Sequence, residues 1–242
     1  MSSEPRGESN ARQPRAVPAR HAFAWYSEAM RLWKRGPATF AGLAFVTLAL
    51  TILLEPVPVA GFVASNLVAP LVATGLLYAS LAADRGDAPL MRHAIAAFSA
   101  GPGAQAAVIL SGLAAFAAEA WTAWALRGIN LLLPTANAAD LPLRVIAAIY
   151  AAGVLASLPL TFVPFAALFE GEGVRDAFVV SVRAFARNVA PLLLYAAMSF
   201  ALLFVALATF GVGLVLVLPW IAAASYAAWK DIFALGGSRR IE

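Results

Sequence analysis

Glu119 is the residue of this 242-residue sequence best suited to chemistry: an acid inside the otherwise apolar stretch AAFAAEAWTAWALRG. A carboxylate in a membrane helix is costly, tends to face the bundle interior or a cavity, and marks proton or cation binding. A structural reading competes with that one, and the spacing favours it. Trp121 and Trp124 follow at once. Tryptophan collects at the headgroup level, so Glu119 is expected near the outer boundary, in reach of Arg127 or Arg144. Asn66 and Gln105 are further polar side chains in apolar runs. Interhelical hydrogen bonds worth about 0.6–2 kcal/mol suit them better than ligand binding. Glu55, beside the prolines of EPVP, reads as a boundary residue, and Lys230–Asp231 after Trp229 as an interfacial anchor.

Other chemistries are poorly represented. There is no cysteine, which excludes disulfides and cysteine-ligated zinc or iron–sulfur sites. His21 and His93 are far apart and offer no metal-ligand spacing. Neither a G-x-S-x-G elbow nor a phosphate-cradling loop occurs. The expectation is no catalytic residue, no cofactor and no metal.

The elements that must position these residues are membrane helices. Hydrophobic residues make up 62% of the chain and charged ones 12%, against roughly 45–50% and 25% in soluble domains. Such a chain cannot cover a water-facing surface. A bilayer-spanning helix needs about 20 apolar residues, and six stretches qualify: near 38–54, 59–82, 104–126, 145–168, 191–211 and 213–230. Residues 1–20 read as a disordered cytoplasmic tail, too long for the basic start of a signal peptide, so the first span is expected to be kept as an anchor. Residues 21–235 form the membrane domain and 236–242 a second cytoplasmic tail. Of the 17 basic residues, all but Arg127 and Arg144 fall on one side of this topology. The positive-inside rule makes that side, with both termini, cytoplasmic. The basic residues are too scattered for a nucleic-acid footprint, so no nucleic-acid partner is expected.

The order of elements repeats. In residues 174–189, Val174, Phe178, Val182, Phe185 and Val189 share one helical face, with Asp176, Arg183 and Arg187 opposite. Asn188 and Pro191 then break the helix and a span begins. Near the start, Phe23, Tyr26, Met30 and Trp33 form such a face, Arg31, Lys34 and Arg35 lie away from it, and Gly36–Pro37 precede a span. A shorter copy has Met91, Ile95 and Phe98 on one face, then Gly101–Pro102. The second span of each pair holds helix-breaking prolines: Pro70, then Pro159 and Pro164, then Pro219. The prediction is an all-α, polytopic membrane protein. Its six transmembrane helices form three parallel repeats of about 21–86, 89–172 and 174–235, each a cytoplasmic amphipathic helix followed by a helical hairpin. Arg31, Lys34, Arg35, Arg183 and Arg187 are the candidate contacts to anionic lipid at the cytoplasmic face, each worth about 1 kcal/mol. Small-residue runs such as AAASYAA permit close packing within the bundle or homo-oligomerisation.

The succession of NVAPLLLY, a short outer turn and VLPWIAAASYAAWKDIF resembles a family of small six-span inner-membrane proteins of proteobacteria. It is more distantly similar to the membrane domain attached to some glycerophosphodiester phosphodiesterases. The resemblance covers roughly residues 20–235 and implies a multi-pass protein of the bacterial cytoplasmic membrane. It brings no catalytic residues, and the soluble phosphodiesterase domain has no counterpart. The expected role is non-enzymatic: envelope organisation, lipid handling or support of a partner. The alternative is a small transporter or channel lined by Glu119 and the proline-broken helices.

Overall fold

A computed structural model describes residues 13–54, 60–131, 141–209 and 211–235. Among these the chain is helical throughout, with no strand. The order is α1 (His21–Trp33), α2 (Pro37–Leu54), α3 (Ala60–Ala73), α4 (Gly75–Arg85), a 3-10 helix (Met91–Ser99) and α5 (Pro102–Arg127). Then come α6 (Leu143–Ser157), a 3-10 turn (Leu158–Leu160), α7 (Val163–Phe169), α8 (Val174–Arg187), α9 (Val189–Ala208) and α10 (Leu214–Ile232).

Among the described residues, five helical runs are long and apolar enough to cross a bilayer: Pro37–Leu54, Val63–Arg85, Pro102–Arg127, Leu143–Leu160 and Val189–Ala208. No more than half of any of them is covered by protein, which leaves their apolar side chains for lipid. The chain is a multi-pass helical membrane protein. The sixth expected span, 213–230, coincides with α10, which is not among the five. Its Trp, Tyr, Ser and terminal Lys–Asp dilute its apolar character. It is also enclosed by several others, packed against α1, α2, α4 and α9, with Ala223, Ala224, Ala228 and Ile232 fully buried.

Small residues decide the packing. The buried stripe of α1 is Ala22, Trp25, Tyr26, Ala29 and Leu32. Its alanines meet the alanine run of α10, where backbones approach closely. The expected face of Phe23, Tyr26, Met30 and Trp33 is therefore divided: Tyr26 is buried and Phe23 is 59% exposed. In α8 the buried residues are Ala177, Val180, Ser181 and Ala184, whereas Val182 is exposed. In the 3-10 helix Ala94 and Ala97 are buried, and Met91, Ile95 and Phe98 are exposed. Gly75 of α4 makes that contact possible: a Cβ there would lie 2.8 Å from Ala94 Cα. The bulky stripe of the 3-10 helix thus faces outward, where acyl chains can cover it. That of α8 is divided: Val182 and Val189 are exposed, whereas Val174, Phe178 and Phe185 are half-buried beside the alanine contacts.

The prolines differ in effect. Pro70 lies within α3, which gives way to α4 at Thr74, and it packs against Gly112 of α5. Pro159 lies in the 3-10 turn and Pro164 in the first turn of α7, a position whose missing N–H has no helical partner to lose. Ser181 of α8, fully buried, repairs that break: its hydroxyl donates to the Pro159 carbonyl (2.8 Å) and accepts the Phe162 N–H (3.0 Å). Pro219 breaks nothing. It is buried inside α10, which runs through it unbroken, as membrane helices allow where neighbours satisfy the backbone.

Candidate functional site: a polar clasp at one end of the bundle

The densest polar network joins parts of the chain that lie far apart in sequence. Its first centre is Asp231, in the last turn of α10, with a side chain only 10% exposed. His21 and Trp25 stand four residues apart on α1 and so share a face. His21 Nδ1 is 2.7 Å from Asp231 Oδ2, and Trp25 Nε1–H donates to the same oxygen at 2.9 Å. Arg15 takes the other oxygen at 2.5 Å and donates through Nε to the Asp231 carbonyl at 2.7 Å. Burial alone would raise the Asp231 carboxyl. The hydrogen bonds from His21, Trp25 and Arg15 outweigh it and hold the group below the usual carboxylate range.

The second centre is Asn188, between α8 and α9 and almost wholly buried. Its Oδ1 accepts the Val17 N–H at 2.8 Å, and its Nδ2 donates to the carbonyls of Arg15 (2.9 Å) and Ala184 (3.0 Å). Arg187 donates to the Pro14 carbonyl, and the Arg15 N–H to the Ile232 carbonyl. Residues 14–17 are thereby strapped across the α8–α9 joint and the end of α10. This corrects the tail expected over 1–20: the stretch from 13 to 20 is docked, and 1–12 lie outside the described residues.

The third centre is Asp84, at the end of α4. It receives Lys230 Nζ at 2.5 Å, the Tyr226 hydroxyl at 3.0 Å and Arg31 at 3.3 Å. Arg31 also pairs with Glu28, and Arg35 donates to the Ala83 carbonyl. Behind the clasp an aromatic knot ties α1 to α9 and α10. Tyr26 stacks on Tyr195 with ring centroids 5.8 Å apart, shares a 2.6 Å hydrogen bond with Ser199, and receives Trp220 Nε1–H at its carbonyl. Burial pushes the Tyr26 hydroxyl up to about 12, with Ser199 opposing the shift in part.

The candidate residues are distributed as follows. Arg31, Arg35 and Arg187 make contacts within the molecule, whereas Lys34 and Arg183 are exposed. Asn66 is half-buried in α3. Gln105 caps a turn, donating to the carbonyls of Phe98 and Ala100. Glu55 lies outside the described residues. Glu119 meets neither Arg127 nor Arg144: its carboxylate lies over Gly153 of α6, in the space a Cβ there would fill. Among the described residues it has no hydrogen bond or ion pair. Trp121 and Trp124, one turn on, are exposed and pack on each other with centroids 5.3 Å apart.

An Asp–His contact is the orienting part of a general-base pair. In this cluster both carboxylate oxygens are committed, to Trp25 and His21 on one side and to Arg15 on the other. The arrangement fastens helix ends. Among the described residues no three His, Asp or Glu side chains gather closely enough for a metal. Lys230–Asp231, read as an anchor, prove to be the hub of the site. Nothing in the local sequence signals this, because the partners of Asp231 stand 206–216 residues away and that of Lys230 stands 146 residues away. Comparison with known protein families, curated proteins and solved structures finds no match for this chain.

Proposed function

We propose that the protein is a non-enzymatic scaffold of the bacterial cytoplasmic membrane, with six spans in three parallel units and both termini cytoplasmic. Its clasped cytoplasmic end offers a rigid face to anionic lipid and to partners. The observation that carries this reading is the Arg15–Asp231 contact. It brings the segment before the first span and the end of the last helix to the same end of the bundle, as an even number of crossings requires. The element order supports the three units: short helix, span and second helix occur at α1–α4, again from the 3-10 helix to α7, and again at α8–α10, the second helix being broken in the first two and continuous in the third. The exposed Lys34 and Arg183 support the contact with anionic lipid. The bacterial cytoplasmic membrane follows from the resemblance to the small six-span proteins.

Reporter fusions test the reading. Fusions at both ends should report cytoplasm, and an insertion between residues 132 and 140 should report the opposite compartment. Ends in different compartments would overturn it. A second reading, proton or cation passage, is favoured by the carboxylate over Gly153. Proteoliposomes whose proton and cation leak is the same for wild type and Glu119→Gln would dispose of it.

A further inference from the structure

We propose that the cleft between α6 and α9 is a phospholipid site, its walls taking an acyl chain and Arg144 at its mouth taking the lipid phosphate. The cleft encloses about 230 Å³. Leu143, Ala147 and Tyr150 of α6 form one wall, and Phe200, Phe204 and Leu207 of α9 the other. Apart from the Tyr150 hydroxyl, these side chains are hydrocarbon. The lining runs from Leu143 to Tyr150 on α6 and from Phe200 to Ala208 on α9, seven and eight residue steps or about 10–12 Å at 1.5 Å per residue. The cleft therefore runs two turns along the helix axes, a shape for an extended chain.

The bulk of these side chains keeps the helices apart. Where α1 meets α10, alanines let backbones touch; here Phe200 and Phe204 stack with centroids 6.3 Å apart and form one side of the gap. Left empty, such a gap forfeits dispersion contacts along its whole lining. Acyl chains of the surrounding membrane can fill it without a desolvation cost.

The mouth has the opposite character. Leu143 is the first residue of the 15-residue α6; its amide and that of Arg144 lack helical acceptors, while those of Val145 and Ile146 donate to the Pro142 carbonyl. Arg144 follows Leu143 in that same turn, just beyond the lining itself, exposed and without an acidic partner among the described residues. A guanidinium matches phosphate oxygens two at a time, and the helix dipole adds to its field. A cation at one end of a hydrocarbon slot selects an amphiphile with an anionic head and a long chain. The leaflet that supplies the lipid rests on the six-span reading, which makes it the outer one; the site itself does not depend on that reading.

The test uses the full chain, extracted in mild detergent and examined by native mass spectrometry with extraction of the co-purified lipid. Wild type should retain about one phospholipid per chain. Ala147→Trp fills the cleft and should reduce retention at least tenfold. Leu203→Trp, from the α9 wall, should do the same and serves if the first variant does not fold. Arg144→Gln should weaken retention several-fold and abolish the preference for phospholipid over neutral diacylglycerol. Leu53→Trp, on the exposed face of α2, should leave it unchanged. Retention unaffected by either tryptophan, or a fatty acid or detergent found in place of phospholipid, would overturn the proposal. Lost retention in Ala147→Trp together with termini in different compartments would leave the site standing and refute the topology alone.

Discussion

The Glu119 carboxylate of α5 fills the place where a side chain on Gly153 of α6 would stand. Both rulers of the hairpin agree on its depth. Arg127 lies eight residues beyond Glu119, about 12 Å along α5, and Arg144 nine residues before Gly153, about 14 Å along α6. If the two arginines mark the headgroups, the acid sits inside the hydrocarbon, deeper than its neighbouring tryptophans suggest. Gly153→Ala should cost about 1–3 kcal/mol by overpacking, and Glu119→Ala in the same chain should recover most of it. A double-mutant cycle by thermal unfolding in micelles measures the coupling, expected within about 0.5–3 kcal/mol. Additive effects would show that the two residues do not meet.

Asn188 holds the strap through three hydrogen bonds while almost wholly buried. Asn188→Ala leaves the Val17 N–H and the Arg15 carbonyl without partners and should cost about 1–3 kcal/mol. Asn188→Asp should be worse, because an oxygen then faces the carbonyls of Arg15 and Ala184. The natural chain has no cysteine, so one introduced by Val17→Cys reports on the strap alone. Its labelling should be slow behind Asn188 and fast behind Ala or Asp. Equal rates would mean that the strap is held elsewhere.

How much of this was legible depends on the kind of signal. Apolar runs announce α2, α5 and α9 to within a few residues, because bilayer thickness sets their length and no tertiary information is needed. Gly36–Pro37, Gly101–Pro102 and Asn188 mark the joints, because proline and its neighbours constrain the backbone locally. The packing stripes of α1 and α8 were not legible. Periodicity picks out the bulkiest residues, such as Phe23 and Val182, which stay exposed, whereas close approach selects the least bulky ones, such as Ala177 and Ala184. Glu119 suggested a charged partner and received a glycine instead, and absence of a side chain carries no sequence signal. The hub at Asp231 was hidden for a simpler reason: Arg15, His21 and Trp25 come to it only through the fold.

Asp231 makes the clasp sensitive to acid. Its carboxyl is held below the ordinary value near 3.9, because the donors of His21, Trp25 and Arg15 outweigh burial. A group depressed in the folded state contributes its full stability above its unfolded pKa. That contribution is lost as the pH falls through the lower, folded value. The thermal midpoint of wild type should therefore fall between about pH 4 and more acid solution, and this component of the fall should be missing from Asp231→Asn. At neutral pH Asp231→Ala should cost about 1–3 kcal/mol by leaving buried donors unpaired. Matching acid profiles for wild type and Asp231→Asn would place the acid-sensitive group elsewhere.

Ser181 supplies a contact that the broken second helix of the middle segment cannot make for itself. The turn at Pro159 leaves the Pro159 carbonyl and the Phe162 N–H without helical partners, and one buried hydroxyl serves both. Away from water, an unsatisfied backbone group costs more than the hydrogen bond contributes when made. Ser181→Ala should therefore lower stability by about 1–3 kcal/mol and speed amide exchange at Phe162, with little effect on the far α6 residues near Val145. Ser181→Cys, which keeps a weak donor and acceptor, should fall between the two. If Ser181→Ala left both the melting midpoint and the Phe162 exchange rate unchanged, water or lipid would have to be repairing the turn, and α8 would be held by its alanine stripe alone.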